Sequence, residues 1–245
     1  MYYGVHMKHY KKGALLFADA RRSLLGHLAT AVWSLLLFML LSLFLNQIAA
    51  SFAAEKSILS FFIPVAAAYV TSLFISLFGV GLSSVFLNLQ YGQPASMRNL
   101  LVCFRENQDR AVQTRAYVTL GERLCLFPLQ LLLFLTSGGP LAERAPLLLG
   151  VGGASIAACT LWTLTYAMTN FLLLDFPDTE AGQILRASRS MMRGNRLRLL
   201  LLMLRLLPMH LLGIFSLGLA NIYAGCCQHA CAAAFYKDMM DQQVK

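Results

Sequence analysis

Three cysteines and a histidine near the C-terminus are the residues best suited to bind a metal: Cys226, Cys227, Cys231 and His229. Zinc sites are built from thiolate and imidazole ligands. On a helix, however, Cys227 and Cys231 share a face, and His229 lies about 200° away from each of them. A closed site would need ligands from another segment. We therefore expect no metal and no cofactor here.

The spacing of small residues around these cysteines indicates helix packing instead. Small side chains recur on one face of a helix at Ala220, Ala224, Cys227, Cys231 and Ala234. Such a stripe lets the backbones of two membrane helices approach closely. We interpret this face as a packing surface within a helical bundle.

Three polar residues lie inside otherwise apolar segments and form a candidate intramembrane cluster: Glu122, Arg205 and His210. Charge within a bilayer is costly and by default suggests a function. One hypothesis pairs Glu122 with Arg205. The alternative is that the Arg205 side chain extends to the membrane boundary and that each charge is solvated separately. A proton-handling role for His210 stands beside a structural one, in which its neutral ring bonds a carbonyl freed by Pro208.

The composition excludes a water-soluble globule. Of the 245 residues, 58% are hydrophobic and 13% are charged, and the mean hydropathy is +0.63. Soluble domains carry about a quarter charged residues. The sequence also lacks a His-Glu-x-x-His, a Gly-x-Ser-x-Gly and a phosphate-binding glycine loop. We expect a membrane protein that is not an enzyme.

The apolar segments predict an all-α bundle of six transmembrane helices, arranged as three hairpins in a single domain over residues 1–245. A spanning helix needs about 20 apolar residues. The last apolar block, Leu197–Tyr236, is too long for one span and contains Pro208 and Gly213, so we divide it in two; a single long kinked helix is the alternative. The predicted spans are residues 24–46, 60–89, 116–136, 146–174, 197–215 and 217–236.

The basic residues predict the orientation of these spans. Short cytoplasmic loops carry an excess of Lys and Arg. Sixteen of the 20 basic residues fall before the first span, in alternate loops and after the sixth, whereas the opposite side has Lys56 and Arg144. Both termini are thus expected in the cytoplasm of a plasma-membrane protein. This asymmetry also accounts for the net charge of +9 without any nucleic-acid partner.

Residues 178–195 predict an amphipathic helix that lies in the plane of the cytoplasmic membrane surface. Its apolar face carries Ile184, Ala187, Ser188, Met191 and Met192. A second such helix is expected around Met97, Leu100, Leu101 and Phe104. Arginines that would bind anionic lipid headgroups mark the other face of the first helix: Arg186, Arg189, Arg193 and Arg196.

Three separated motifs resemble a family of bacterial integral-membrane proteins, the domain of unknown function 975. They are the run Tyr166–Pro177 (Tyr-Ala-Met-Thr-Asn-Phe-Leu-Leu-Leu-Asp-Phe-Pro), the set Ser188, Met192, Gly194 and Asn195, and the late Ala234-Phe235-Tyr236. The lead that begins at Ala20 resembles the opening of the family, so the similarity extends over essentially the whole chain. The resemblance implies a six-span plasma-membrane protein and assigns no activity.

These observations predict a non-catalytic membrane module that organises lipids or assists other membrane proteins. The expected partners are membrane lipids with anionic headgroups, and other membrane proteins or further copies of the chain. A small transporter for an amphiphilic solute is the alternative, and it would need a polar cavity at Glu122, Arg205 and His210. A membrane-embedded enzyme that acts on lipid is a third, less expected function.

Overall fold

The computed structural model describes residues 13–51, 58–105, 108–136, 141–216 and 218–242, and the described residues form helices and turns without a β-strand. This agrees with the predicted all-α class. Lys8, Lys11, Lys12, Lys56 and Lys245, which enter the count of basic residues, lie outside the described residues.

Eleven α-helices are described, together with a short 3₁₀ helix at Met97–Leu101 that precedes α4. Their bounds are α1 Gly13–Leu24, α2 Leu28–Ser51, α3 Ile58–Gln90, α4 Val102–Arg105, α5 Gln108–Leu135, α6 Leu141–Thr165, α7 Thr169–Asp175, α8 Ala181–Met192, α9 Arg196–Leu204, α10 Leu207–Phe215 and α11 Leu219–Asp241.

Four helical stretches are long and apolar enough to cross a membrane: Leu28–Ser51, Phe61–Tyr91, Gln108–Leu135 and Ala145–Asp175. They correspond to the first four predicted spans, although α5 begins eight residues before the predicted boundary. Their outward faces are apolar, since Leu40 and Leu43 of α2 are each 67% exposed. Such faces suit contact with lipid tails rather than water.

The block Leu197–Tyr236 differs from both predictions made for it. The predicted fifth span is two nine-residue helices, α9 and α10, joined at Arg205 and Leu206. Pro208 has no N–H to donate, so it fits in the first turn of α10 and not in the middle of a continuous helix. Gly218, with φ of +90°, precedes α11, and a single long helix is therefore wrong.

Helix α11 lies at the centre of the bundle and contacts α1, α2, α3, α9 and α10. The predicted small-residue stripe is confirmed, because Ala224, Cys227, Cys231 and Ala234 are buried; Ala220, one turn earlier, is half-buried. Burial extends around the helix to further residues, which a single-faced stripe does not predict: Cys226, Ala230, Ala233, Phe235, Tyr236, Asp238 and Met239.

The ends of the long helices gather at two opposite ends of the bundle. At one of them, Tyr91 after α3, Arg110 of α5 and Asp175 of α7 line a common cavity. We call this the arginine-bearing end, because the segments that connect there carry Arg98, Arg105 and the arginines of α8. At the far end, Ala50 of α2, Phe61 of α3 and Phe134 of α5 meet.

The predicted second in-plane helix is shorter than expected. Residues 97–105 form the 3₁₀ helix followed by one turn of α4. Leu100 is buried there, whereas Met97 and Leu101 are exposed. Close contact with α3 fixes this geometry, since a Cβ on Gly81 would lie 2.1 Å from the carbonyl oxygen of Leu100. Tertiary contact therefore overrides the local amphipathic pattern.

Candidate functional site

Helix α8 presents a row of arginines at the arginine-bearing end of the bundle. Arg186, Arg189 and Arg193 are exposed, and Arg196, at the start of α9, is half-buried. We call the first three the α8 surface. The Nε of Arg186 donates to the carbonyl of Gly182 at 3.2 Å, so the Nη atoms of this arginine remain available.

The opposite face of α8 packs on the protein itself. Ile184 and Met192 are buried in the core, and α8 contacts α5, α6 and α7. The hydroxyl of buried Ser188 donates to the carbonyl of Thr165 at 3.2 Å, where α6 ends. The sequence thus predicted the correct apolar face, and the structure shows that this face is buried against helices of the bundle.

Arg110 fixes the loop that leads into α8. Its Nη1 donates to the carbonyls of Phe176 (2.6 Å) and Thr179 (3.0 Å), and its Nη2 donates to the carbonyl of Leu173 at 2.8 Å. The last carbonyls of a helix have no partner within the helix, and a cation is favoured beside them. Arg110 therefore satisfies carbonyls at the end of α7 and in the loop that precedes α8.

A second connection joins α7 to α11. The hydroxyl of Tyr236 donates to Oδ2 of Asp175 at 2.7 Å. The Tyr236 ring stacks on Phe171, with ring centroids 5.1 Å apart. Both residues of the hydrogen bond belong to motifs that carry the family resemblance, and their structural contact gives those motifs a physical role.

A third connection runs through Asn170. Arg115 Nη1 donates to Asn170 Oδ1 at 3.0 Å, and Asn170 Nδ2 donates to the hydroxyl of Ser83 at 3.3 Å. These bonds join α5, α7 and α3 near the arginine-bearing end. Sequence reasoning missed Arg110 and Arg115 as structural residues, because their carbonyl and amide partners are more than 50 positions away.

Between α3, α5 and α7 lies a cavity of about 440 Å³, here called the end cavity. Its polar lining includes Ser84, Asn88, Arg110 and Asp175, and Cys103 of α4 also lines it. Burial raises the pKa of the Cys103 thiol to about 11, while Arg115 and Arg110 act in the opposite direction. A volume of this size is within the range of small-molecule sites.

The three predicted intramembrane residues lie on separate elements: Glu122 in α5, Arg205 in the turn after α9 and His210 in α10. Arg205 is exposed and its guanidinium lies over Gly13, 3.3 Å from where a Cβ would be. No contact among the three is recorded in the described part of the chain. The pairing of Glu122 with Arg205 and the bond of His210 to a freed carbonyl stay predictions.

The cysteines near the C-terminus are part of the core. Cys226, Cys227 and Cys231 are buried free thiols. The His229 ring stacks on Phe86 with centroids 5.3 Å apart. Within the described ranges, no group of three or more His, Cys, Asp or Glu side chains is placed to hold a metal ion.

Over the residues that the structure describes, the protein is all-helical, with four helices long and apolar enough to cross a membrane. Over residues 147–243 the chain matches the model of a family described as protein of unknown function (DUF975), which confirms the predicted resemblance over this stretch. The match covers less than half of the chain and leaves the Ala20 lead outside it. No curated protein and no solved structure matches.

Proposed function

We propose that the protein is a non-catalytic membrane module whose α8 surface holds anionic lipid headgroups. One observation carries the proposal: the apolar face of α8 packs on the bundle, while Arg186, Arg189 and Arg193 stay exposed beside the ends of the apolar helices. Each basic residue near an anionic membrane surface contributes about 1 kcal/mol. Rigid attachment to the bundle fixes the backbone of these residues before a headgroup binds, so only their side chains remain to be ordered.

The proposal places the protein in a plasma membrane, with six crossings in three hairpins and both termini in the cytoplasm. Four crossings are the long apolar stretches. The α9–α10 pair supplies the fifth, supported by its outward Leu201, Leu212 and Phe215, and α11 supplies the sixth. Lipids with anionic headgroups are its partners, and association with other membrane proteins or with further copies would use the remaining apolar faces.

A transporter built around Glu122, Arg205 and His210 would need a polar cavity at those residues. The end cavity is lined by none of the three. The core around α11 is instead filled by side chains such as Leu82, Val85, Phe86 and Phe235. This arrangement favours the lipid-binding function over transport.

The test compares two double variants in nanodiscs that contain phosphatidylglycerol. Arg189→Gln with Arg193→Gln removes two charges of the α8 surface, and Arg98→Gln with Arg105→Gln removes two exposed charges elsewhere at the same end. We expect the first pair to lower the phosphatidylglycerol retained through detergent extraction several-fold, with a strong salt dependence. Equal retention in the wild type and the first pair would contradict the proposal.

A further inference from the structure

The end cavity brings opposite charges into one space. Arg110 of α5 and Asp175 of α7 both line it, together with the polar side chains of Ser84, Asn88, Tyr91 and Gln93. Within the described residues no ion pair joins Arg110 to Asp175. The cavity therefore holds one positive and one negative group that are not in direct contact, and Arg110 also interacts electrostatically with Asp178, which does not line the cavity.

Arg110 has N–H donors left over after its hydrogen bonds to the carbonyls around α7 are made. A guanidinium has five N–H donors. Three of them donate hydrogen bonds to the carbonyls of Leu173, Phe176 and Thr179. Its Nε is buried and has no hydrogen-bond partner in the described part of the chain. A buried donor without a partner calls for an explanation. The second N–H of Nη2 is also unused among the described residues, and it is the donor that an anion bound in the adjacent cavity would meet.

Asp175 supplies the complementary charge. Its Oδ2 accepts a hydrogen bond from Tyr236, which holds the carboxylate in place. The residue is exposed, so an incoming cation can approach it. Accepting one neutral hydrogen bond leaves the negative charge of a carboxylate uncompensated.

We propose that the end cavity binds a zwitterion with a phosphate and a primary ammonium, the chemistry of a phosphoethanolamine headgroup. Arg110 would receive the phosphate, since guanidinium geometry suits its oxygens, and Asp175 would receive the ammonium. A simple anion would be repelled by Asp175, and a simple cation would be repelled by Arg110. The position at the ends of the apolar helices is the level at which lipid phosphates lie.

This site is separate from the α8 surface and does not depend on it. The ligand has two possible sources, a phosphatidylethanolamine molecule of the bilayer or a free phosphoethanolamine compound. The experiment uses the full chain in detergent with water-soluble glycerophosphoethanolamine, and in nanodiscs with phosphatidylethanolamine against phosphatidylcholine. Binding is measured by calorimetry for the soluble probe and by native mass spectrometry for the lipid.

The informative variant is Asp175→Asn, because the amide oxygen can still accept the Tyr236 hydrogen bond while the charge is lost. We expect it to weaken binding of the zwitterion about fivefold to tenfold. Asp241→Asn, which removes an exposed acid of α11 that does not line the end cavity, should bind like the wild type. Tyr236→Phe keeps the charge of Asp175 and should retain most of the binding.

The proposal is wrong if the wild type binds neither probe, or if Asp175→Asn binds the zwitterion as tightly as the wild type does. It is also wrong if inorganic phosphate, ethanolamine or β-alanine competes for the site as well as glycerophosphoethanolamine does. Binding of glycerophosphoethanolamine alone would assign the site to the free compound, and preferential retention of phosphatidylethanolamine would assign it to the lipid. Phosphatidylglycerol retention in the α8 variants tests the α8 surface separately. A failure of the end-cavity proposal can therefore be told from a failure of the proposed function.

Discussion

The hydroxyl of Tyr236 and the carboxylate of Asp175 are 61 positions apart in sequence and 2.7 Å apart in space. A similar relation holds for Arg110, whose three carbonyl partners are 63 to 69 positions away. Asp175 and Tyr236, two motif residues of the matched region, thus act as contacts between helices. The sequence showed that these residues form motifs, but their partners could not be predicted, because no local spacing encodes a bond between distant helices.

Tyr236→Phe removes one buried hydroxyl and leaves the ring stacked on Phe171. We expect a loss of about 1 kcal/mol in the free energy of unfolding, with an additional cost if Asp175 is left without a donor. Denaturant unfolding in detergent measures it. Tyr91→Phe is the matched control at the same end, since no hydrogen bond of its hydroxyl is recorded among the described residues. Equal effects of the two substitutions would refute a structural role for the bond.

Cys103 provides a prediction on pH. Burial raises the pKa of its thiol to about 11, and the reactive species is the thiolate. A raised pKa means that the neutral thiol dominates at pH 7 to 8, so alkylation should stay slow there and accelerate as the pH approaches 11. Peptide-level mass spectrometry of native protein follows the rate, with Gln93→Cys as an exposed control. An alkylation rate of Cys103 that stops rising near pH 8.5 would contradict the raised pKa of its thiol.

Helices α1 and α8 share the spacing of their buried residues and the kind of residue that follows them. Helix α1 buries Leu16, Ala20 and Leu24 and is followed by Gly26 with φ of +88°. Helix α8 buries Ile184, Ser188 and Met192 at the same spacing and is followed by Gly194 with φ of +87°. In each segment a short amphipathic helix is followed by a break and then by a further helix, α2 in the first and α9 in the second.

Gly194 is the residue that ends the α8 element. A side chain at a positive φ costs about 1 kcal/mol or more, so Gly194→Ala should lower stability by that amount and disturb the entry into α9. Gly182→Ala, inside α8 with open space around it, should be neutral or slightly stabilising. Thermal unfolding of both variants tests the difference. If Gly182→Ala is destabilised and Gly194→Ala is not, Gly194 is not the residue that ends α8.

The α5–α6 contact depends on Gly121. A Cβ at this position would lie 2.1 Å from the Trp162 ring, whose Nε1 donates to the carbonyl of Val118 at 3.0 Å. Gly121→Ala should therefore cost about 1–3 kcal/mol through overpacking. Gly153→Ala in α6 meets no atom within 4 Å and serves as the control. If both substitutions leave the unfolding midpoint unchanged, the close packing of these helices is wrong.

At the scale of the whole molecule, composition and apolar length were enough to predict the helical class and the four long helices. The break between α9 and α10 and the position of α11 were predicted less well. Pro208, Gly213 and Gly218 are each compatible with several chain paths, and packing against α1, α2 and α3 selects among them. The end cavity could not be predicted, because its lining comes from α3, α4, α5 and α7, whose facing residues share no sequence signal.

We propose that the arginine-bearing end lies at one membrane surface, on the cytoplasmic side. Arg189→Cys places a thiol on the α8 surface, and a tag after Lys245 marks the C-terminus. In intact cells, a membrane-impermeant thiol reagent should not label the Arg189→Cys variant, and an antibody should not bind the tag. Both sites should become accessible once the cells are permeabilised. Labelling of either site from outside intact cells would contradict the topology and the headgroup-binding function that depends on it.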